Sequence, residues 1–233
     1  MPGIGVLIIV VFLILIIFGA IASHRAREAR LAALAQLARH HGWQFNPQKN
    51  YNHDEQYRQF SIFCKGDDRY AYNTLTGSIT IGHDSWPIQL GDYHYEETTG
   101  SGKDRSTHDY RFSYLLLRLP YHQLPTLAIR REGIFDKLAG FIGFDDIDFE
   151  SAEFSRRFHV KGSDKRFVYD VIHPRMMEHL LATNPLPLEI GESVCCISDG
   201  SKHWQSEDFA RQVNQAVEFF SLWPEHVTST LQR

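Results

Sequence analysis

Residues 3–22 read GIGVLIIVVFLILIIFGAIA, an apolar stretch with no charged side chain. As a helix this stretch is about 30 Å long, which matches the hydrocarbon thickness of a bilayer. In lipid, a helix satisfies all of its backbone hydrogen-bonding groups internally. We therefore expect residues 1–23 to be a transmembrane anchor that contacts the lipid bilayer through residues 3–22.

A cleaved signal peptide is the alternative for this segment, because Ala20-Ile21-Ala22 resembles a small-x-small cleavage site. No Lys or Arg precedes the apolar stretch, which is also longer than the usual signal core of about 7–15 residues. An uncleaved anchor fits the sequence better.

The positive charges follow the apolar stretch, at Arg25, Arg27 and Arg30. Positive charge near a span favours the cytoplasmic side, so we expect a cell-membrane protein with its N-terminus outside and its C-terminal domain cytoplasmic. These membrane-proximal arginines are candidates for contact with anionic lipid. Residues 24–42 predict a juxtamembrane helix that packs on the domain through one stripe and ends at Gly42; the stripe is Leu31, Leu34, Ala35 and Ala38.

Charge and cysteine content narrow the classes of function. The formal net charge is −4 at pH 7, which gives no electrostatic footprint for nucleic acid. Three cysteines (Cys64, Cys195 and Cys196) do not form a disulfide framework and suit a reducing compartment. On a strand, Cys195 and Cys196 would point to opposite faces.

Residues 43–233 predict one soluble α+β domain, with a possible subdivision near 131–143. Aromatic-rich or alternating segments predict strands, and a polar loop at 98–106 predicts a long hairpin. The expected strands are 43–45, 60–63, 70–72, 79–95, 110–119, a pair beginning at Phe154 and returning over 167–172, and 186–198. The expected helices are 133–142, Pro174 to about Ala182, and Glu207 to about Leu222. Because strands and long helices do not alternate, we expect a mostly antiparallel sheet with packed helices.

Residues 144–181 read FDDIDFESAEFSRRFHVKGSDKRFVYDVIHPRMMEHLL. The segment contains an E-F-x-x-x-F-x-V pattern, and a P-x-M-M helix follows it; the matching residues are Glu153, Phe154, Phe158, Val160, Pro174, Met176 and Met177. This arrangement resembles a group of bacterial single-pass membrane-anchored proteins of unknown function, and residues 39–45 and 93–119 also look similar. The resemblance implies membrane anchoring and this architecture, with the first pattern on a strand, and it implies no catalytic residues.

Two groups of residues are candidate metal ligands. Asp145, Asp146 and Asp148 belong to an acidic run that alternates with apolar residues, which is typical of a solvated edge or of ion pairs with Arg156 and Arg157. His94 and His108 would bind a metal if they faced each other across the long hairpin. Neither group has the spacing of a known metal motif.

The sequence carries no nucleophile motif, and Gly100-Ser101-Gly102-Lys103 lacks the rest of a phosphate-binding loop. It predicts no cofactor. We expect a membrane-tethered cytoplasmic module that binds a protein partner or the membrane surface and is not an enzyme. A membrane-bound metal-dependent hydrolase is the alternative, and an outward-facing envelope protein is a third possibility that depends on topology.

Overall fold

The computed structural model describes residues 2–131 and 146–231. The predicted helix 133–142, the possible subdivision near 131–143 and the candidate ligand Asp145 fall on residues 132–145, which lie outside the described residues.

Helix α1, Pro2–His41, joins the apolar segment to the domain without a break. It ends where predicted, because Gly42 has a φ of +69°. The Gly42 N–H donates to the Arg39 carbonyl, and the Trp43 N–H donates to the Ala38 carbonyl at 2.8 Å. This pair of bonds is the Schellman arrangement, which satisfies carbonyls at a helix end.

Eight strands form one sheet with the order β1-β2-β3-β4-β8-β7-β5-β6, in which every described pairing is antiparallel. The predicted α+β fold is therefore confirmed. The strands are β1 Gln44–Asn46, β2 Asp67–Ile81, β3 Asp84–Thr99, β4 Ser106–Arg118, β5 Leu127–Arg131, β6 Phe158–Gly162, β7 Leu188–Gly191 and β8 Val194–Ile197.

Short helices surround the sheet, and the predicted helix at Pro174 is confirmed. The helices after α1 are α2 His53–Gln56, α3 Ala152–Arg157, α4 Lys165–Val171, α5 Pro174–Thr183, α6 Ser206–Ser221 and α7 Glu225–Leu231. In α5, the buried Met176 and Leu180 lie one turn apart. In α6, the N-cap is Gln205, and its side chain forms a capping box with Asp208.

The sheet buries a hydrophobic core on each face. The larger core contains Leu34 and Ala38 of α1 together with Cys195, and the smaller core contains Cys196. The two adjacent cysteines therefore point to opposite faces, as predicted. Cys64 is exposed, and all three cysteines are free.

The smaller core encloses one buried histidine, His53, at the start of α2. Its ring lies 4.7–5.6 Å from the rings of Phe63, Tyr93 and Tyr114. Nδ1 lies 3.4 Å from the Gln89 amide nitrogen, and Nε2 has no hydrogen-bond partner. Burial lowers the pKa of His53 to about 3, so the ring is neutral near pH 7.

Four predicted strands were wrong in whole or in part. Residues 61–63 form a 3-10 turn, closed by a bond from the Phe63 N–H to the Phe60 carbonyl. Residues 79–95 contain the turn between β2 and β3, where Gly82 has a φ of +63°. Residues 186–198 form the β7–β8 hairpin, because Glu192 and Ser193 both have positive φ, as in a type I′ turn.

The fourth error concerns the strand pair that was expected to begin at Phe154. Glu153 and Phe154 lie in α3, so the first half of the E-F-x-x-x-F-x-V pattern is helical and only Phe158 and Val160 lie on β6. Residues 167–172 are mostly helical as well. The Asp164 side chain accepts bonds from the backbone N–H groups of Arg166 and Phe167 and so begins α4.

Candidate functional site

The most highly connected polar group is Asp92 in the middle of β3, which is completely buried. Its carboxylate accepts bonds from Arg30 Nε at 3.0 Å and Arg30 Nη2 at 2.6 Å. Asn73 Nδ2 donates at 2.8 Å and Ser113 Oγ at 2.7 Å, and His203 Nε2 lies 3.1 Å away. We call Asp92, Arg30, Asn73, Ser113 and His203 the Asp92 network.

The Asp92 network keeps a buried carboxylate ionised. Burial alone would raise the pKa of Asp92, but the hydrogen bonds from His203 and Arg30 outweigh it and hold the pKa below its ordinary value. A buried charge is tolerated when it is paired and its lone pairs are hydrogen-bonded. All five donor atoms around Asp92 come from side chains, so the network depends on how α1 and the loop before α6 are placed.

Arg30 attaches the N-terminal helix to the domain at two points. Besides its two bonds to Asp92, Nη1 donates to the Trp204 carbonyl at 2.7 Å. Arg30 lies one and two turns before the buried Leu34 and Ala38, so all three lie on one stripe of α1. The apolar stripe and the ion pair together fix the rotation of α1 relative to the sheet.

Sequence reasoning placed Arg30 in a group of membrane-proximal arginines and did not find Asp92. In the structure, Arg25 and Arg27 are exposed, whereas the Arg30 side chain is only 16% exposed. Contact of Arg25 and Arg27 with anionic lipid stays a prediction. The available signal for Asp92 was its position two residues after Leu90, on the same face of a strand.

The described part of the acidic run takes part in surface contacts. Asp146 lies 3.6 Å from Lys161 Nζ and 3.8 Å from His159 Nδ1. Asp148 is exposed, and its carbonyl accepts a bond from the Tyr169 hydroxyl. The two side chains do not converge. Arg157 Nη1 lies 3.7 Å from Oε1 of Glu153, another residue of the acidic run, which agrees with the expected ion pair.

The prediction that His94 and His108 face each other was wrong. In the β3–β4 register, His94 lies opposite Arg111, and His108 lies opposite Glu97. His108 is exposed and lies 3.3 Å from Ser106 Oγ. This prediction failed because the sequence does not determine which residues of a long hairpin pair with each other.

His94 is nevertheless buried in a polar setting of its own. Nδ1 lies 3.0 Å from the Asp68 carbonyl oxygen, and Nε2 lies 3.3 Å from Asp109 Oδ1. The ring stacks on Tyr70, with 4.5 Å between the ring centroids. Within the described ranges, Asp68, His94 and Glu96 each offer one ligand atom within 4.8 Å of the other two. We call Asp68, His94, Glu96 and Asp109 the His94 cluster.

Residues 8–29 of α1 are exposed to solvent along the described part of the helix. Within the described residues it is the one helix that is long and apolar enough to cross a membrane. Large apolar side chains from Ile8 to Phe18 are 44–71% exposed. Such a surface is unfavourable in water and is typical of a segment that contacts lipid. The chain therefore fits a membrane-anchored protein.

Comparison with known proteins gives one informative likeness. No protein-family model matches the chain, and a search of curated proteins gives no significant match. The fold is similar to that in the crystal structure of the mycobacterial trehalose monomycolate transport factor A, TtfA, with a TM-score of 0.57. The match covers 83% of this chain and 96% of that chain at 9% sequence identity. At this identity, the likeness shows a shared fold and nothing more specific.

Proposed function

We propose that this protein is a membrane-tethered cytoplasmic module that presents its sheet domain, in a fixed orientation, to a protein partner at the membrane. The Asp92 network is the observation that carries the proposal. Arg30 lies about 12 Å along the helix from the end of the apolar segment, and it is bonded to the centre of the sheet.

A continuous helix places the domain differently from a flexible linker. Residues 22 to 30 are helical, so they add no hinge between the span and the Asp92 network. A partner that is itself held in the membrane would meet the same face of the domain each time. An enzyme acting on a freely diffusing substrate would gain nothing from this constraint.

Other features support the finer parts of the proposal. The arginines after the apolar segment favour a cytoplasmic domain, and three free cysteines suit a reducing compartment. The neighbour of shared fold is named as a transport factor. A non-enzymatic role beside a membrane-embedded system is compatible with that name.

A helical-phase experiment tests the proposal. Alanine insertions after Ser23, in the exposed part of α1, lengthen the helix without touching the domain or the apolar segment. Two alanines rotate the domain about the anchor by about 200°, whereas four return it to within about 40° and move it by about 6 Å. Partners are recovered from detergent-solubilised native membranes by a C-terminal tag and are quantified for each length.

We expect the two-alanine chain to lose most of its partner and the four-alanine chain to keep most of it. The four-alanine chain is the matched control, because it carries the larger insertion. Equal recovery at every length would contradict a fixed orientation. Failure of the unaltered chain to recover any reproducible partner would contradict a binding function.

A further inference from the structure

In the His94 cluster, the hydrogen-bond partners of the two ring nitrogens do not match a neutral histidine. This observation does not depend on the proposed function. The His94 side chain is only 4% exposed, and both ring nitrogens face oxygen atoms that accept hydrogen bonds. A neutral imidazole has a single N–H. One ring nitrogen therefore keeps a lone pair that faces oxygen atoms, an arrangement that a metal ion held between them would satisfy.

The charges around the ring favour a divalent ion. Asp68 Oδ2 lies 3.9 Å from Nδ1, and the Asp109 carboxylate lies on the Nε2 side. The Glu96 carboxylate is the third ligand group within 4.8 Å, and it is half-buried. Three carboxylates, of Asp68, Glu96 and Asp109, therefore surround the imidazole, and their oxygen atoms are ligands that a divalent ion accepts. Two cations lie close to these groups. Arg111 Nη2 is 4.0 Å from Asp109 Oδ2, and Lys49 Nζ is 3.8 Å from the centre of the Tyr70 ring that stacks on His94.

The backbone around Asp68 brings these groups together. The register of β2 shifts between Asp67 and Tyr70, and Asp68 has a φ of +45°. Gly66, with a φ of +59°, allows the start of β2 to approach β3, because a Cβ there would lie 2.1 Å from the Glu96 carbonyl oxygen. The carboxylate and the carbonyl of Asp68 therefore lie on the same side of the His94 ring.

We propose that Asp68, His94 and Glu96 bind one divalent transition-metal ion, with His94 Nδ1 as the nitrogen ligand. Asp109 then accepts the Nε2–H bond, which fixes the tautomer of the ring. A metal-bound histidine commonly donates its second N–H to a carboxylate in this way. One imidazole and two carboxylates suit zinc and similar ions better than calcium or magnesium.

Zinc binding to the full chain in detergent tests this site, after EDTA treatment and dialysis. Isothermal titration with Zn²⁺ compares the unaltered chain with His94→Gln and Glu96→Gln. His108→Gln is the matched control, because His108 is an exposed histidine of the same hairpin. We expect the His108→Gln control to bind one equivalent of Zn²⁺, with higher affinity than His94→Gln and Glu96→Gln show. Asp109→Asn should weaken that equivalent by about 10- to 100-fold, which is typical of a residue that orients a ligand.

If His94→Gln disturbs the fold, Glu96→Gln still tests the site, because the Glu96 side chain is not part of the core. Thermal unfolding in EDTA shows whether each variant is folded. Zinc isotherms that are the same for the unaltered chain, His94→Gln and Glu96→Gln would overturn the proposal. Histidine NMR gives a second readout. Zinc should leave His94 with a proton on Nε2 only, and a proton on Nδ1 in saturating zinc would contradict metal binding at that nitrogen.

Discussion

At the scale of single residues, the Arg30–Asp92 pair is the contact whose loss should cost most. Removal of one partner from a buried ion pair leaves the other charge uncompensated in the interior. Asp92 is completely buried, and Arg30 donates two of the bonds that it accepts. Solvent reaches a part of Arg30, so its removal should cost less than the upper end of the usual range.

Arg30→Ala should therefore lower the free energy of unfolding by about 3 kcal/mol. Arg27→Ala is the matched control, because Arg27 lies on the same helix and is exposed. It should change stability by less than about 0.5 kcal/mol. Denaturant unfolding of the domain in mild detergent, followed by tryptophan fluorescence, measures both. Equal effects of the two substitutions would contradict the role of Arg30.

His53 gives the domain a dependence on pH. Its folded pKa, about 3, lies below the ordinary value of 6.5. Below pH 6.5 the unfolded chain therefore binds a proton that the folded chain does not take up until near pH 3. Stability should fall across this window by up to about 1.4 kcal/mol per pH unit from this group.

His53→Phe should remove that part of the slope, because phenylalanine keeps an aromatic ring in the smaller core and does not titrate. His83→Gln is the control, since His83 is exposed in the β2–β3 turn. Unfolding free energies between pH 6 and pH 4.5 should show a shallower slope for His53→Phe than for the control. Identical slopes would mean that His53 is not buried as a neutral ring.

The sequence could not identify Arg30 and Asp92 as a pair. Arg25, Arg27 and Arg30 look alike in composition, and only the spacing from Arg30 to Leu34 and Ala38 marks Arg30 as inward-facing. Asp92 is 62 residues away from Arg30 along the chain. Such a pairing depends on how α1 lies on the sheet, and local patterns carry no information about that.

At the scale of elements, α1 packs on β1, β2 and α6, and two side-chain contacts give its direction relative to β3. Near the end of α1, Trp43 Nε1 donates to the Ser78 carbonyl, and Ser78 lies opposite Pro87 on β3. Thirteen residues earlier in the chain, Arg30 reaches Asp92. Trp43 thus lies near Pro87, and Arg30 lies near Asp92, which is closer to the tip of the β3–β4 hairpin. The apolar segment, which precedes Arg30, therefore lies towards the hairpin tip.

The hairpin tip should consequently lie on the membrane side of the domain. From Asp92 to the tip, β3 extends about 23 Å, whereas α1 needs about 12 Å from Arg30 to reach the apolar segment. Fluorophores on Ser101→Cys and His83→Cys, in a Cys64→Ser background, compare the two ends of β3. Lipid-headgroup quenchers should reduce the signal at position 101 more than at position 83. Equal quenching, or stronger quenching at 83, would contradict this orientation.

Sequence patterns predicted some elements well and others poorly, for physical reasons. Pro174 and the spacing of Met176 and Leu180 specified α5 locally. Residues 167–172 form a short apolar stretch that suits a strand or a helix, and the Asp164 cap decided between them. The long hairpin was recognised, but its register depends on cross-strand packing.

At the scale of the whole molecule, one antiparallel sheet covered on both faces is held on a continuous helix with an exposed apolar half. The described domain does not bring the predicted acidic run together as a metal centre. The His94 cluster lies two residues beyond Asp92 on the same face of β3. The Asp92 network and the His94 cluster thus follow one another along one side of the sheet, with the His94 cluster nearer the tip of the β3–β4 hairpin.

The sidedness of the domain is the measurement that tests the central claim most directly. A tag at the C-terminus is followed by protease digestion in intact and in lysed spheroplasts, and the size of the chain reports any cleavage after Ala22. We predict a full-length chain whose tag is protected until lysis, as expected for an uncleaved anchor and a cytoplasmic domain. Digestion in intact spheroplasts, or a chain shortened by the N-terminal segment, would contradict the membrane-tethered cytoplasmic module.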